Sequence, residues 1–225
     1  LGFDPQQSQY AIEDNVLLKR TKNQIVVYKN LELGKIDHVD FQNPLQIVVF
    51  YKEFNTIILL DNQLNEIKQI DFNLNPTLIQ LEAVGLSAQN QLWLFDGNNN
   101  RLGLYATSTD HTKWISVPTS NSLIGYASDY NYFYWVDSSK RVYASSIYGN
   151  LSTIGFVPKY ESIQLINSST ALYFIEQELY LYEIAKGTSR KIKITENFVD
   201  NFFFKDGILA IFTQNKITNY KLILP

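Results

Sequence analysis

Residues 91–117 read QLWLFDGNNNRLGLYATSTDHTKWISV. Gln91 to Phe95 is a short apolar run closed by Asp96-Gly97-Asn98-Asn99-Asn100. Those closing residues favour tight turns, because Gly reaches positive φ freely and Asp or Asn side chains bond to the backbone just ahead. Arg101 to Ala106 is a second run and Lys113 to Val117 a third. Strand, turn, strand, longer loop, strand is an antiparallel meander.

The pattern recurs outward in both directions. Val16–Thr21, Leu45–Tyr51, Leu92–Asp96, Tyr132–Asp137, Ala171–Glu176 and Ile208–Thr213 each follow polar turn residues and read as the second strand of a repeating unit. Their starts are spaced by 29, 47, 40, 39 and 37 residues, so register is loosest between residues 36 and 78. Four strands in about 40 residues is the spacing of a propeller blade and too long for a β-helix coil. Tyr132-Phe133-Tyr134-Trp135-Val136 and Phe202-Phe203-Phe204 are apolar at consecutive positions, as strands packed on both faces require. The two ends also match each other without a gap. DNVLLKRTKNQIVVYK (14–29) sets Asp14, Leu17, Thr21, Asn23, Ile25, Tyr28 and Lys29 on Asp206, Leu209, Thr213, Asn215, Ile217, Tyr220 and Lys221 of DGILAIFTQNKITNYK (206–221).

The expectation is therefore an all-β chain forming one domain over residues 1–225, a β-propeller of six four-stranded blades. The last unit has room for only three strands, Val199–Phe204, Ile208–Thr213 and Ile217–Leu224. Leu1-Gly2-Phe3-Asp4 precedes a first inner strand placed near Gln9–Ile12. Residues 1–4 are accordingly expected to complete the last blade, removing an open edge.

Composition narrows the function classes. Of 225 residues, 45% are hydrophobic, 14% aromatic and 18% charged, which suits a packed β core and argues against disorder. A net charge of −3 argues against sequence-independent nucleic-acid binding. The longest apolar stretch, Leu45 to Leu60, is interrupted by Lys52, Glu53 and Asn55, so no transmembrane helix is expected. With no cysteine, thiol catalysis, disulfides and thiolate-bound zinc are excluded. With no methionine, the chain reads as starting inside a gene product, after signal removal or trimming, which leans towards export.

VDFQNPLQIVVFYKEFNTIILLDNQL (39–64) and NQLWLFDGNNNRLGLY (90–105) resemble an uncharacterised family of bacterial envelope and secreted β-propellers. That resemblance implies the six-bladed fold and an export route, and assigns no catalytic residue. The Trp-Asp dipeptide of WD40 repeats, the Tyr-Trp-Thr-Asp motif of receptor propellers and sialidase Asp boxes are all missing.

No nucleophile elbow, His-Glu-x-x-His helix, Walker loop or dinucleotide fingerprint is present. His38 and His111 stand apart in sequence, and a metal site needs several convergent ligands, so no metal and no cofactor is assigned. Asp61, Asp96, Asp137 and Glu176 end apolar strands ahead of turns, where a carboxylate fixes the turn by accepting backbone N–H bonds. The sharper reading gathers them around a central mouth as an acid/base or cation site, but equivalent repeated positions favour structure over distinct catalytic roles. Tyr126, Tyr130, Tyr132, Tyr134, Tyr148, Trp114 and Trp135 concentrate within about one blade. Packing between blades explains most of them. Trp114, Tyr130 and Tyr148, near loops, are the expected binding residues.

The leading expectation is a non-enzymatic binding or scaffolding module of a bacterial envelope, periplasmic, outer-membrane-associated or secreted. It is expected to be monomeric and to engage a protein partner, with no nucleic-acid partner. The alternatives are a hydrolase or lyase with a central-mouth carboxylate site, and a carbohydrate- or small-ligand-binding propeller.

Overall fold

The computed structural model describes residues 2–4, 6–74, 77–205 and 207–224. A 3-10 turn at Phe72–Leu74 is the only helical element among them, and no helix there is long and apolar enough to cross a membrane. The first sheet holds β1 (Gly2–Phe3), β2 (Gln9–Glu13), β3 (Val16–Arg20) and β4 (Ile25–Tyr28). The second holds β5 (His38–Asp40), β6 (Ile47–Tyr51), β7 (Thr56–Leu60) and β8 (Glu66–Asp71). In the third are β9 (Leu81–Leu86), β10 (Gln91–Asp96), β11 (Arg101–Ala106) and β12 (His111–Trp114). The fourth has β13 (Leu123–Ser128), β14 (Tyr132–Asp137), β15 (Arg141–Ser146) and β16 (Leu151–Phe156). The fifth has β17 (Ser162–Leu165), β18 (Thr170–Ile175), β19 (Glu178–Glu183) and β20 (Thr188–Ile192). The sixth has three strands, β21 (Asn201–Lys205), β22 (Ile208–Phe212) and β23 (Ile217–Lys221). Each strand pairs antiparallel with the next in sequence, and the fold is a β-propeller of six blades.

Contacts divide the chain into two compact units. The N-terminal unit runs to Ser120 and takes in Asp129–Asn131; the C-terminal unit holds Asn121–Ser128 and everything from Tyr132 on. Inside each, the period-2 alternation of a strand feeds two cores at once. In β6, Ile47, Val49 and Tyr51 pack with Tyr10 and Leu17, while Val48 and Phe50 pack with Leu81 and Leu92. Every residue of β6 and β7 is buried for that reason. In the C-terminal unit, Ala171 and Tyr173 of β18 join Val136 and Val142, and Leu172 and Phe174 join Phe202 and Leu209. Each fully buried aliphatic or Phe side chain contributes about 1.5–3 kcal/mol, so a strand apolar on both faces is worth roughly twice a half-exposed one.

One topological expectation is corrected. β1 pairs with β2, Gly2 opposite Tyr10 and Phe3 opposite Gln9, so the N-terminal strand completes the first sheet and not the last; Leu1 lies outside the described residues. The cause is Asp4, whose Oδ1 accepts the backbone N–H of Gln6 and of Ser8, both at 2.9 Å, and whose Oδ2 accepts the Tyr10 hydroxyl at 3.2 Å. This buried carboxylate, with Lys19 Nζ 3.9 Å away, turns the chain back before it can travel to another sheet. Val16–Arg20 is consequently the third strand of its sheet, whereas the other five segments read as second strands hold that place.

Candidate functional site

Three of the four strand-end carboxylates, Asp61, Asp96 and Asp137, are turn anchors. Asp61 Oδ1 accepts the N–H of Gln63 and of Asn65 at 2.8 and 2.9 Å. Asp96, fully buried, accepts from Gln80 N, Asn98 N, Asn99 Nδ2 and the Arg101 guanidinium, the last at 3.1 Å. Asp137 accepts from Ser139 N, Arg141 N, Asn121 Nδ2 and the Tyr143 hydroxyl. The same two-residue reach recurs after first strands, from Asp40 to Gln42 N, Asp129 to Asn131 N and Asn167 to Ser169 N. Asn65, through its side-chain amide and backbone N–H, holds the Asp61 carboxyl below the ordinary range. Burial opposes ionisation of Asp137, yet Ser139, Asn121, Arg141 and Tyr143 outweigh it and hold that carboxyl down as well. Glu176, one methylene longer, makes no such turn: it sits at φ 52° and its own N–H donates to Glu161. His38 lies on β5 and His111 on β12. Among the described residues no three His, Asp or Glu side chains gather as a metal-binding group.

The three aromatics expected to bind sit in three environments. Trp114, half-buried on β12, lies opposite Gly103, where a Cβ would come within 2.8 Å of the indole. The Arg101 guanidinium stacks 3.8 Å from its ring centroid, so the indole is contacted from within the sheet. Tyr130 is 40% exposed. Its carbonyl accepts Ala88 N and Ser87 Oγ, and burial together with the nearby charge of Asp40 raises its hydroxyl pKa. These contacts put Tyr130 beside the end of β9, and Trp114 lies on β12, the opposite edge strand of that sheet, so the two are not brought together. Tyr148 belongs to the C-terminal unit, at the β15–β16 turn, and is 82% exposed. Most of the other clustered aromatics pack. Tyr134 joins a core, and Tyr126, Phe133, Trp135 and Tyr143 run as a ladder of adjacent rings 5.0–6.0 Å apart.

A cavity of 520 Å³, missed from sequence, lies in the C-terminal unit between residues 195–198 and residues 213–216. Its floor is a polar clamp. The Glu196 side chain is 1% exposed, accepts the Tyr220 hydroxyl and stands 3.5 Å from Lys216 Nζ. Tyr220 in turn receives the Thr195 N–H at 3.2 Å and contacts the Thr195 hydroxyl at 2.8 Å. Led by the Tyr220 bond, these partners lower the Glu196 carboxyl to about 2. Phe198 forms the rim at φ 57° and 81% exposure, an arrangement of order 1–3 kcal/mol unfavourable for a bulky L-residue. It persists because its neighbour is fixed: Val199 is buried, and its N–H donates to Gln177 Oε1 at 3.0 Å. The only sequence signal was an aromatic inside the polar run Thr195-Glu-Asn-Phe198, in the connection between β20 and β21.

No family model and no curated protein matches this chain. Solved structures do. Virginiamycin B lyase from Staphylococcus aureus is similar at a TM-score of 0.61 and 13% identity, over 97% of this chain and 81% of that one. A catalytically inactive histidine-to-alanine variant of that lyase, crystallised with quinupristin, is similar at 0.59 and 14%, over 99% and 87%. The extracellular domain of a candidate one-component system from B. thetaiotaomicron is similar at 0.56 and 15%, over 95% of this chain and 33% of that one. At these identities the likeness is one of fold.

Proposed function

We propose that this chain is a non-enzymatic binding and scaffolding propeller of a bacterial cell envelope that engages a protein partner. The observation carrying this reading is that three of the four strand-end acids, Asp61, Asp96 and Asp137, are consumed as turn acceptors. Asp61 and Asp137, held ionised at neutral pH, have no proton to give as general acids, and Asp96 has four donors around it. The lyase neighbour loses activity on replacement of a histidine. Here the two histidines occupy the first strand of one sheet and the last strand of another. Exposed rings at loop tips, Tyr148 above all with Tyr130 and the half-exposed edge of Trp114, suit a protein surface. The resemblance to envelope propellers and the extracellular neighbour support a periplasmic or secreted placement.

Affinity capture from envelope extract tests the reading. A stoichiometric partner retained by the wild-type chain and lost on Tyr148→Ala supports it. Conversion of quinupristin by the wild-type chain, followed by mass spectrometry, overturns it in favour of a lyase.

A further inference from the structure

We infer that the cavity between residues 195–198 and 213–216 binds a neutral oligosaccharide. Its 520 Å³ lies inside the ~300–1,000 Å³ range of small-molecule sites. Seven of the eight lining residues are of polar type, and together they carry no net charge, because the one carboxylate, Glu196, and the one ammonium, Lys216, face each other at 3.5 Å. A free anion would meet Glu196 as well as Lys216. A metal ion would find a single carboxylate already accepting the Tyr220 hydroxyl. Asn197, Gln214 and Asn215 line the opening, and their side-chain amides are engaged by no other described residue. Each offers a donor and an acceptor at once, which matches hydroxyl groups that also do both.

Phe198 supplies the remaining element. Its ring stands in solvent at the rim, on a backbone flanked by the Glu196 clamp and by buried Val199. The negative face of an exposed ring attracts the C–H side of a pyranose. A cavity that offers both apolar surface and free amides, with one presented aromatic, is thus a place for a sugar's two unlike faces. The site belongs to the C-terminal unit alone and does not depend on the protein-partner reading.

Isothermal titration of the full chain with cellotetraose, maltotetraose, chitotetraose and, as the acidic counterpart, tetragalacturonate tests the inference. At least one neutral oligosaccharide is expected to bind, with Phe198→Ala weakening it about tenfold, the upper end of what one aromatic contact is worth. Asn215→Ala should weaken it several-fold. Both side chains are exposed, so the melting temperature of either variant should match the wild type. No binding by any neutral oligosaccharide, binding that Phe198→Ala leaves unchanged, or preference for tetragalacturonate overturns it. Tyr148→Ala serves as the internal control: it should leave sugar binding intact whatever it does to a captured protein.

Discussion

The hairpins at residues 14–29 and 206–221 share sequence, register and turn, yet do different work. In the first, Leu17 lies opposite Tyr28 and Arg20 opposite Ile25; in the second, Leu209 lies opposite Tyr220 and Phe212 opposite Ile217. Thr21 N–H donates to Gln24 O at 2.9 Å and Thr213 N–H to Lys216 O at 3.0 Å. Each threonine hydroxyl adds a bond to the same carbonyl, at 3.1 Å in both. Even the aligned tyrosines act alike, Tyr28 donating to Glu66 at 2.7 Å and Tyr220 to Glu196. But the first hairpin is strands three and four of its sheet, and the second is strands two and three. Gln24 reaches across to Gln63 of the neighbouring sheet, whereas Lys216 lines a cavity. Local sequence therefore determines a hairpin and its turn, and the chain on either side determines what the hairpin is for. The opening aspartate of the second copy, Asp206, lies outside the described residues.

The comparison can be broken most directly in the core. Leu17 and Leu209 are both buried, at 0% and 1% exposure, so Leu17→Ala and Leu209→Ala should each lose about 2–5 kcal/mol in urea denaturation. A small loss at Leu209 alone would mean that the last hairpin is not packed as the first is. Next in size, Tyr28→Phe removes a hydrogen bond to a carboxylate from a buried ring and should lower stability by about 1.5–3 kcal/mol in the same assay. Thr21→Ala and Thr213→Ala each delete one turn side chain and should cost about 1 kcal/mol, equally in the two hairpins.

The smallest effect is one of pH and belongs to the second hairpin. Glu196 is lowered to about 2 in the folded chain, below the unfolded value of about 4.3, so its ionised form favours folding. That contribution is complete above the unfolded value and is lost as pH falls from there through about 2. Tyr220→Phe removes the leading cause of the shift. A carbon-13 NMR titration should show the Glu196 carboxyl moving up towards the ordinary range, with a narrower acid window; an unmoved carboxyl would assign the shift to another partner.

How far residues alone reveal this molecule depends on how local the determining contacts are. Strands such as Gln91–Asp96 and Thr170–Ile175 declare themselves because runs apolar on both faces have few alternatives. The turn role of Asp61, Asp96 and Asp137 is equally legible, since each carboxylate bonds amides within a few residues. Gly2–Phe3 is too short to carry a pattern, and its pairing hinges on one buried carboxylate, Asp4, choosing Gln6 and Ser8 as donors. Trp114 looked available because its contacts, a facing glycine and a guanidinium, leave no mark on the apolar periodicity. The cavity was invisible for a related reason. Its two walls are ordinary polar turns until tertiary structure sets them face to face.

The tryptophans have an optical consequence. Trp93, buried with its Nε1–H bonded to Asp129 O at 2.8 Å, and Trp114, beneath a guanidinium, both lie in the N-terminal unit. Trp135, buried in a ladder of rings, is the single indole of the C-terminal unit. Each unit thus carries at least one indole held in packed surroundings, so loss of packing in either half alters the intrinsic fluorescence of the chain.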